Sequence, residues 1–352
     1  MNSKLKLVTL NRTHSARDAL ELINVSSLNF ALIADDENKL LGTITDGDVR
    51  RFLLAGHQIE NDATLAMNPS PITGNTKQSV KELNNLMQKH NISAVPILDE
   101  NSKIVDLEIS NTGISLQKKV YDNPVFLMAG GLGTRLQPLT DDSPKPMLQV
   151  GGKPLLEIIL KNFIEHGFVN FYISVQYLPE IIMDYFQDGK NLGVSIKYIQ
   201  EDQPLGTAGA LGLIPQAAID SPIIVMNGDI LTSVDFPALL DYHNKHKGAA
   251  TMCVRDYEFQ VPLGVIEGNG SIINVIKEKP IHKCQVNAGI YVINSDIVKI
   301  IPENERVDMP DFLSDQISQG NSVHMFPIHE YWLDIGRLED FNKAQIDYPQ
   351  SN

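Results

Sequence analysis

The chain has 352 residues, 43% of them hydrophobic, which is enough for two or three buried cores. With 29 Lys and Arg against 43 Asp and Glu, its formal net charge of −14 argues against nucleic acid or an anionic membrane as the main partner. The opening Met-Asn-Ser-Lys-Leu-Lys lacks the apolar segment of a signal peptide, and no stretch approaches the length of a membrane span. Cys253 and Cys284 have no metal-ligand spacing and each falls in a strand-like run, so the expectation is a cytoplasmic protein with two reduced, core-packed thiols.

The first hundred or so residues contain an internal repeat. Phe30 to Gly42 has a partner in Ser93 to Asp106, and a shared Asp-Glu-Asn begins at Asp36 and at Asp99, 63 residues apart. Each copy predicts a helix (about Ser15–Asn24 and Ser79–His90), then two short strands joined by that acidic turn. The first copy runs on through Gly42-Thr-Ile-Thr45-Asp-Gly-Asp48, a strand entering a helix. This pattern resembles a tandem pair of CBS domains over residues 1–115, with copies at about 1–58 and 59–115. The resemblance implies a module that senses adenine nucleotides, in which Thr45 and Asp48 hold ribose and phosphate while the Thr45 hydroxyl caps the helix. The second copy lacks the motif around Ser110, so at most one nucleotide site is complete. A scaffold or dimerisation module, with Thr45 as a plain helix cap, stays open beside that reading. The resemblance also implies face-to-face association into a homo-oligomer. Residues 111–123, with Gly and polar residues and no clear period, read as the linker.

From residue 124 to about 347 apolar runs alternate with amphipathic segments. Strands are expected at Val125–Met128, Asn170–Val175, Ser195–Ile199 and Ile223–Met226, with helices at Leu155–His166 and Pro179–Phe186. The alternation predicts an α/β domain, a Rossmann-like mixed, mostly parallel sheet with helices on both faces, and a ligand rim at the C-terminal strand ends. On that rim Ala129-Gly130-Gly131-Leu-Gly133-Thr134-Arg135 supplies backbone donors and a guanidinium for a phosphate chain. Lys145 stands between Pro144 and Pro146, which should hold the backbone extended and aim the ammonium. Leu136 in place of a third glycine excludes the dinucleotide fingerprint, and no Lys-Ser/Thr pair completes a P-loop. Ile223 to Gly228-Asp229 reads as a buried strand delivering a carboxylate, with the glycine allowing close approach.

The run from Val125 to Met147 resembles the signature of the sugar-1-phosphate nucleotidylyltransferases, which join an NTP to a sugar 1-phosphate and release pyrophosphate. The resemblance implies the nucleotide-diphospho-sugar transferase fold and Mg²⁺ held by Asp229 and Asp334. The family often has Gly-Thr after this second aspartate, whereas here Gly336 is followed by Arg337. Gln200 to Leu211, with Glu201, Gly206 and Thr207, resembles the base-recognition turn; Gly206 would turn the backbone against a flat base and Thr207 would cap a helix. Its Pro-Leu-Gly-Thr-Ala-Gly form is shared by guanylyl- and adenylyl-transferring members more than by thymidylyl-transferring ones, and GTP is the expected nucleotide. Gln176 could touch base or ribose. Gly264, Glu278, Lys279, Asn287 and Gly289 match the sugar-contacting segments, with Lys279 on the sugar phosphate. A CBS pair ahead of such a domain resembles the guanylyltransferases of bacterial nonulosonic-acid pathways, which make GDP-linked glucosamine for legionaminic acid. Mannose or heptose 1-phosphate as substrate, and a non-catalytic nucleotide sensor, remain open alternatives.

Overall fold

The computed structural model describes residues 5, 7–26, 30–90, 92, 94–109 and 119–348. The chain divides into two compact units, residues 1–117 and 118–352. No helix among the described residues is long and apolar enough to cross a membrane.

The first unit holds two three-stranded sheets built alike. In one, β1 (Thr9–Asn11) lies parallel to β2 (Phe30–Ala34), which pairs antiparallel with β3 (Leu40–Thr45). In the other, β4 (Gly74–Asn75), β5 (Ala94–Leu98) and β6 (Ile104–Ile109) repeat that order. Helices Ala16–Ser26 and Val80–His90 precede the hairpins, each started by a capping pair: Ser15 with Asp18, and Ser79 with Glu82. The structure corrects the repeat register from 63 to 64. Asp35 and Asp99 each accept the amide of the residue four further on, Lys39 and Lys103, and the left-handed turn positions are Asn38 and Ser102. The matching Asp-Glu-Asn letters are therefore slipped by one position. The linker expected at 111–123 falls partly outside the described residues, at 111–118. Beyond it, Tyr121 stacks on Phe168 at 4.8 Å and Asn123 donates to the Pro222 carbonyl, so both pack on the second unit.

The second unit is an α/β domain around a seven-stranded sheet. Its order is β11 (Ser195–Gln200), β10 (Asn170–Val175), β7 (Val125–Met128), β12 (Ile223–Asn227), β17 (Ile281–Ile293), β14 (Ala250–Gln260), β18 (Val323–Pro327). The first four strands are mutually parallel, while β17 runs antiparallel to both neighbours. Because helices cover both faces, the central strands read as continuous apolar runs. Val125 and Leu127 face one core with Phe163 and Phe236; Phe126 faces the other with Leu313. Short strands β8 (Gln149–Val150) and β9 (Lys153–Pro154) form a small hairpin before the helix Leu155–Glu165. Two further pairs complete the domain: β13 (Ile230–Thr232) with β19 (Trp332–Asp334), and the hairpin of β15 (Val265–Asn269) with β16 (Ile272–Lys277). Cys253 is buried as expected. Cys284 is exposed, because its part of β17 extends past the sheet where no second layer covers it.

Candidate active site

The parallel strands β7, β10 and β12 end along one rim, and a cleft of about 410 Å³ opens there. It brings together Ala129, Gly130, Gly131, Gly133, Thr134, Arg135, Lys145, Gln176, Glu201, Gly206, Thr207, Gly228 and Asp229, every residue the sequence assigned to nucleotide and catalysis except Asp334. Gly228 allows the crossing: a Cβ there would lie 2.5 Å from the Met128 carbonyl, so any other residue would push β12 off β7.

Lys145 is buried, and its ammonium bonds Asp229 Oδ2 at 2.5 Å. Its local backbone differs from the expectation. Pro144 is extended, but Lys145 opens a 3₁₀ turn, Lys145–Met147, in which Pro146 occupies an early position that needs no amide donor. The other oxygen of Asp229, Oδ1, is buried and has no hydrogen-bond partner. Asp334 reaches the same place through the β13–β19 pairing, in which Ile230 faces Asp334 and the Ile335 amide donates to the Asp229 carbonyl. Asp334 has solvent on one side, yet protein crowds the rest of it. That burial, followed by the charge on Asp229, pushes its carboxyl above the ordinary 3.8, while Lys145 and Arg135 pull the other way. Two close carboxylates, one oxygen orphaned and one group disfavoured as an anion, form a hard-oxygen donor set short of positive charge. The pair fits a divalent cation such as Mg²⁺.

At the other end of the cleft Glu201 is 9% exposed. Its Oε2 accepts from the Leu205 amide at 3.1 Å, and its Oε1 lies where a side chain on Gly130 would begin. Burial pushes its carboxyl up against the opposing bonds from Leu205 and Ser174. Thr207 does not cap its own short helix, Gly206–Gly209; its hydroxyl instead accepts the Met309 amide at 2.7 Å, at the start of the helix Met309–Ser318. Gly206, at φ 76°, is required by packing: a Cβ would sit 2.6 Å from the Val307 carbonyl. The turn is thus fixed from behind by residues 305–309, a reason the sequence did not reveal. Ser174, Asn227 and Pro204 also line the cleft and were missed. Ser174 had a signal, lying two residues before Gln176 and so on the same face of the chain.

The five sugar-segment residues are not in the cleft lining. Gly264, Glu278 and Lys279 are exposed on the structure beyond the sheet, where a Cβ on Gly264 would lie 3.1 Å from Glu278 Oε2. Lys279 has a left-handed backbone at φ 46°. Gly289 abuts Asn227 and so borders the cleft. The Asn287 amide is already engaged, donating to the Tyr291 hydroxyl and accepting from the Gly289 amide, which leaves it fewer free groups for sugar hydroxyls than expected.

In the first unit Thr45 caps the helix Asp46–Leu54, in a capping box with Asp48. Asp48 Oδ2 accepts from the Thr45 amide and hydroxyl, and Oδ1 from Arg51 at 2.5 Å. Both carboxylate oxygens are thus engaged within the helix start.

The nucleotidyl transferase family profile matches residues 125–351, and the chain belongs to that family. The CBS domain profile matches residues 1–55 and 62–107, ahead of it. Among curated relatives, a mannose-1-phosphate guanyltransferase of Gibberella zeae is 31% identical over 238 residues, 64% of each chain. A probable mannose-1-phosphate guanylyltransferase 1 of Oryza sativa is 30% identical over 224 residues, 61% of this chain and 62% of the relative. The chain therefore spans under two thirds of the length of these relatives. Among solved structures, HddC of Yersinia pseudotuberculosis matches 64% of this chain and 99% of its own at 26% identity and a TM-score of 0.51, and it has also been solved in complex with GMP-PN. A Bacillus anthracis protein described as a putative glucose-1-phosphate thymidylyltransferase, 22% identical at a TM-score of 0.53 over 66% of this chain and 97% of its own, shares the fold.

Proposed function

We propose that the protein transfers a guanylyl group from GTP to a sugar 1-phosphate, releasing pyrophosphate. The observation that carries this reading is the cleft itself, where a glycine-rich bend, Arg135, Lys145 and the Asp229–Asp334 pair meet at one strand rim. A sugar phosphate oxygen forms the new bond to the α-phosphorus as the α–β bridge breaks and pyrophosphate departs. Backbone amides from Gly131 to Thr134 and the Arg135 guanidinium hold the β,γ-phosphates; Lys145 neutralises charge growing at the α-phosphate, and Lys279 orients the attacker. No side chain need exchange a proton or form a covalent intermediate. Asp229 and Asp334 would hold Mg²⁺, which supplies charge neutralisation across the phosphates when bound. An inactive scaffold would have no use for a buried lysine facing two close carboxylates.

Glu201 supports guanine over the other bases. A carboxylate on the cleft wall accepts from two adjacent donors, and the guanine edge offers N1–H and N2–H, whereas adenine presents one donor beside an acceptor. The names of the relatives favour mannose 1-phosphate as the sugar. The CBS pair ahead of the transferase keeps glucosamine 1-phosphate as the second candidate, with heptose 1-phosphate behind it. The test is pyrophosphate release with Mg²⁺ over a grid of nucleoside triphosphates and these sugar 1-phosphates, repeated with AMP. Release confined to GTP with one sugar supports the proposal and selects the sugar. No release from any pairing sinks it. A change on adding AMP would assign the CBS pair a regulatory role, as opposed to a scaffolding one.

A further inference from the structure

A buried threonine outside the cleft lining bears directly on the glycine-rich bend. Gly133 lies in the left-handed region at φ 63°, and the backbone then tightens into the 3₁₀ turn Thr134–Leu136. The amides of Gly131, Leu132, Gly133 and Thr134 donate to no group among the described residues, so they are available to a ligand. The chain then returns as a strap, residues 137–142, in which Thr140 alone is buried, at 2% exposed. Its hydroxyl donates to the Gly133 carbonyl at 3.0 Å, and a Cβ on Gly133 would lie 2.9 Å from its methyl carbon. The same Cβ would lie 3.1 Å from the Cβ of Lys145, so bend, threonine and lysine stem share one packed junction. The Tyr177 hydroxyl, beside Gln176, donates to the Asp141 carbonyl at 2.7 Å and ties down the strap.

A trans peptide points its C=O and N–H in opposite directions. The Gly133 carbonyl and the Thr134 amide belong to one such unit. The oxygen is held by the Thr140 hydroxyl and by the Leu136 amide at 2.9 Å, which turns the amide of Thr134 away from that anchor. Glycine makes the hold necessary, because without a Cβ its torsions are open to the alternative orientation. A peptide turned over would present a carbonyl oxygen to the triphosphate in place of a donor. We infer that Thr140 is a positioning residue, which fixes the Gly133–Thr134 peptide so that its amide faces the β,γ-phosphates. The inference rests on the proposed binding of a nucleoside triphosphate at this bend.

Equilibrium binding of GTP and of GMP with Mg²⁺, in the absence of sugar phosphate, tests it with Thr140→Val and Thr140→Ser. Valine keeps the shape and lacks the donor; serine keeps the donor. Thr140→Val should bind GTP about tenfold more weakly, the scale of one hydrogen bond to a charged group. It should bind GMP as the unchanged chain does, since GMP has no β- or γ-phosphate. Thr140→Ser should bind GTP nearly as well as the unchanged chain. A merely structural threonine would instead show itself in the melting temperature, with both affinities moving together. Equal losses for GTP and GMP, undiminished GTP binding by Thr140→Val, or a serine variant as weak as the valine one would overturn the inference. So would an unchanged chain that binds no GTP. Failure of the transfer reading is separate, because the unchanged chain would then release no pyrophosphate while the two affinities still divide.

Discussion

The ion pair of Lys145 with Asp229 makes two separable demands, on stability and on turnover, and Lys145→Met tests both. Methionine keeps the length and apolar stem of lysine and removes only the charge. The side chains of the pair are 10% and 24% exposed, so the loss should fall short of the ~3–5 kcal/mol seen when a fully buried pair is broken. About 2–3 kcal/mol is expected once the partial exposure of Asp229 is allowed for. At ~2–4 °C per kcal/mol for a domain of this size, the metal-free variant should melt roughly 4–12 °C below the unchanged chain. Most of that loss comes from stranding Asp229, whose Oδ1 already lacks a partner. Asp229→Asn introduced into Lys145→Met should therefore cost less stability than it does in the unchanged chain, a coupling of about 1 kcal/mol or more in a double-mutant cycle. Turnover behaves differently: Lys145→Met should lower kcat about a hundredfold or more, the scale for losing one preorganised charge, and the double variant should not recover it. Melting curves in EDTA and a pyrophosphate-release assay read the two effects. Unchanged kcat would remove Lys145 from the chemistry, and strictly additive stabilities would mean that the bond to Asp229 contributes nothing to the fold.

Glu201→Gln should lower kcat/KM for GTP about tenfold to a hundredfold while sparing ATP, because the new amide puts a donor against the donors of guanine; competition assays with both nucleotides would show it. Asp334 tests the metal reading through pH. Its folded pKa is raised, so the folded state favours the protonated form, gains relative stability as pH falls through that pKa and gives it up above it. Asp334→Asn should thus raise the melting temperature in EDTA at pH 7, with the gain fading toward the ordinary 3.8, and should shrink the further rise that Mg²⁺ gives the unchanged chain. A variant less stable than the parent at pH 7 would refute the charge argument. Thr45→Ala removes a helix cap and should cost about 1 kcal/mol in the melting of the first unit, without lowering kcat in the absence of AMP.

What could be read from the sequence follows a physical division. Val125–Met128, Asn170–Val175 and Pro179–Phe186 lie where the residue pattern places them, because burial on both sheet faces produces unbroken apolar runs that Gly, Pro and polar residues terminate. The nucleotide side of the cleft was equally legible, since its residues sit immediately after those strands and topology sends all of them to one rim. The repeat register was not. Three identical letters aligned Asp36 with Asp99, whereas hydrogen bonding aligns Asp35 with Asp99, because the turn requires an acceptor four residues before a particular amide and ignores what lies between.

The same distinction explains Thr207 and Asp334. A threonine after glycine suggests a cap in any local reading, but its hydroxyl bonds a backbone amide about a hundred residues later, and only the tertiary fold selects that partner. Asp334 reaches Asp229 through an antiparallel pair of three-residue strands, too short for periodicity to show. Local pattern thus identifies candidate charged groups, while long-range pairing decides which of them meet at one place. The outer ends of β14 and β17 are the converse case: residues that look like core in the sequence are exposed there, because the strands run past the last residue that β18 and β12 can cover.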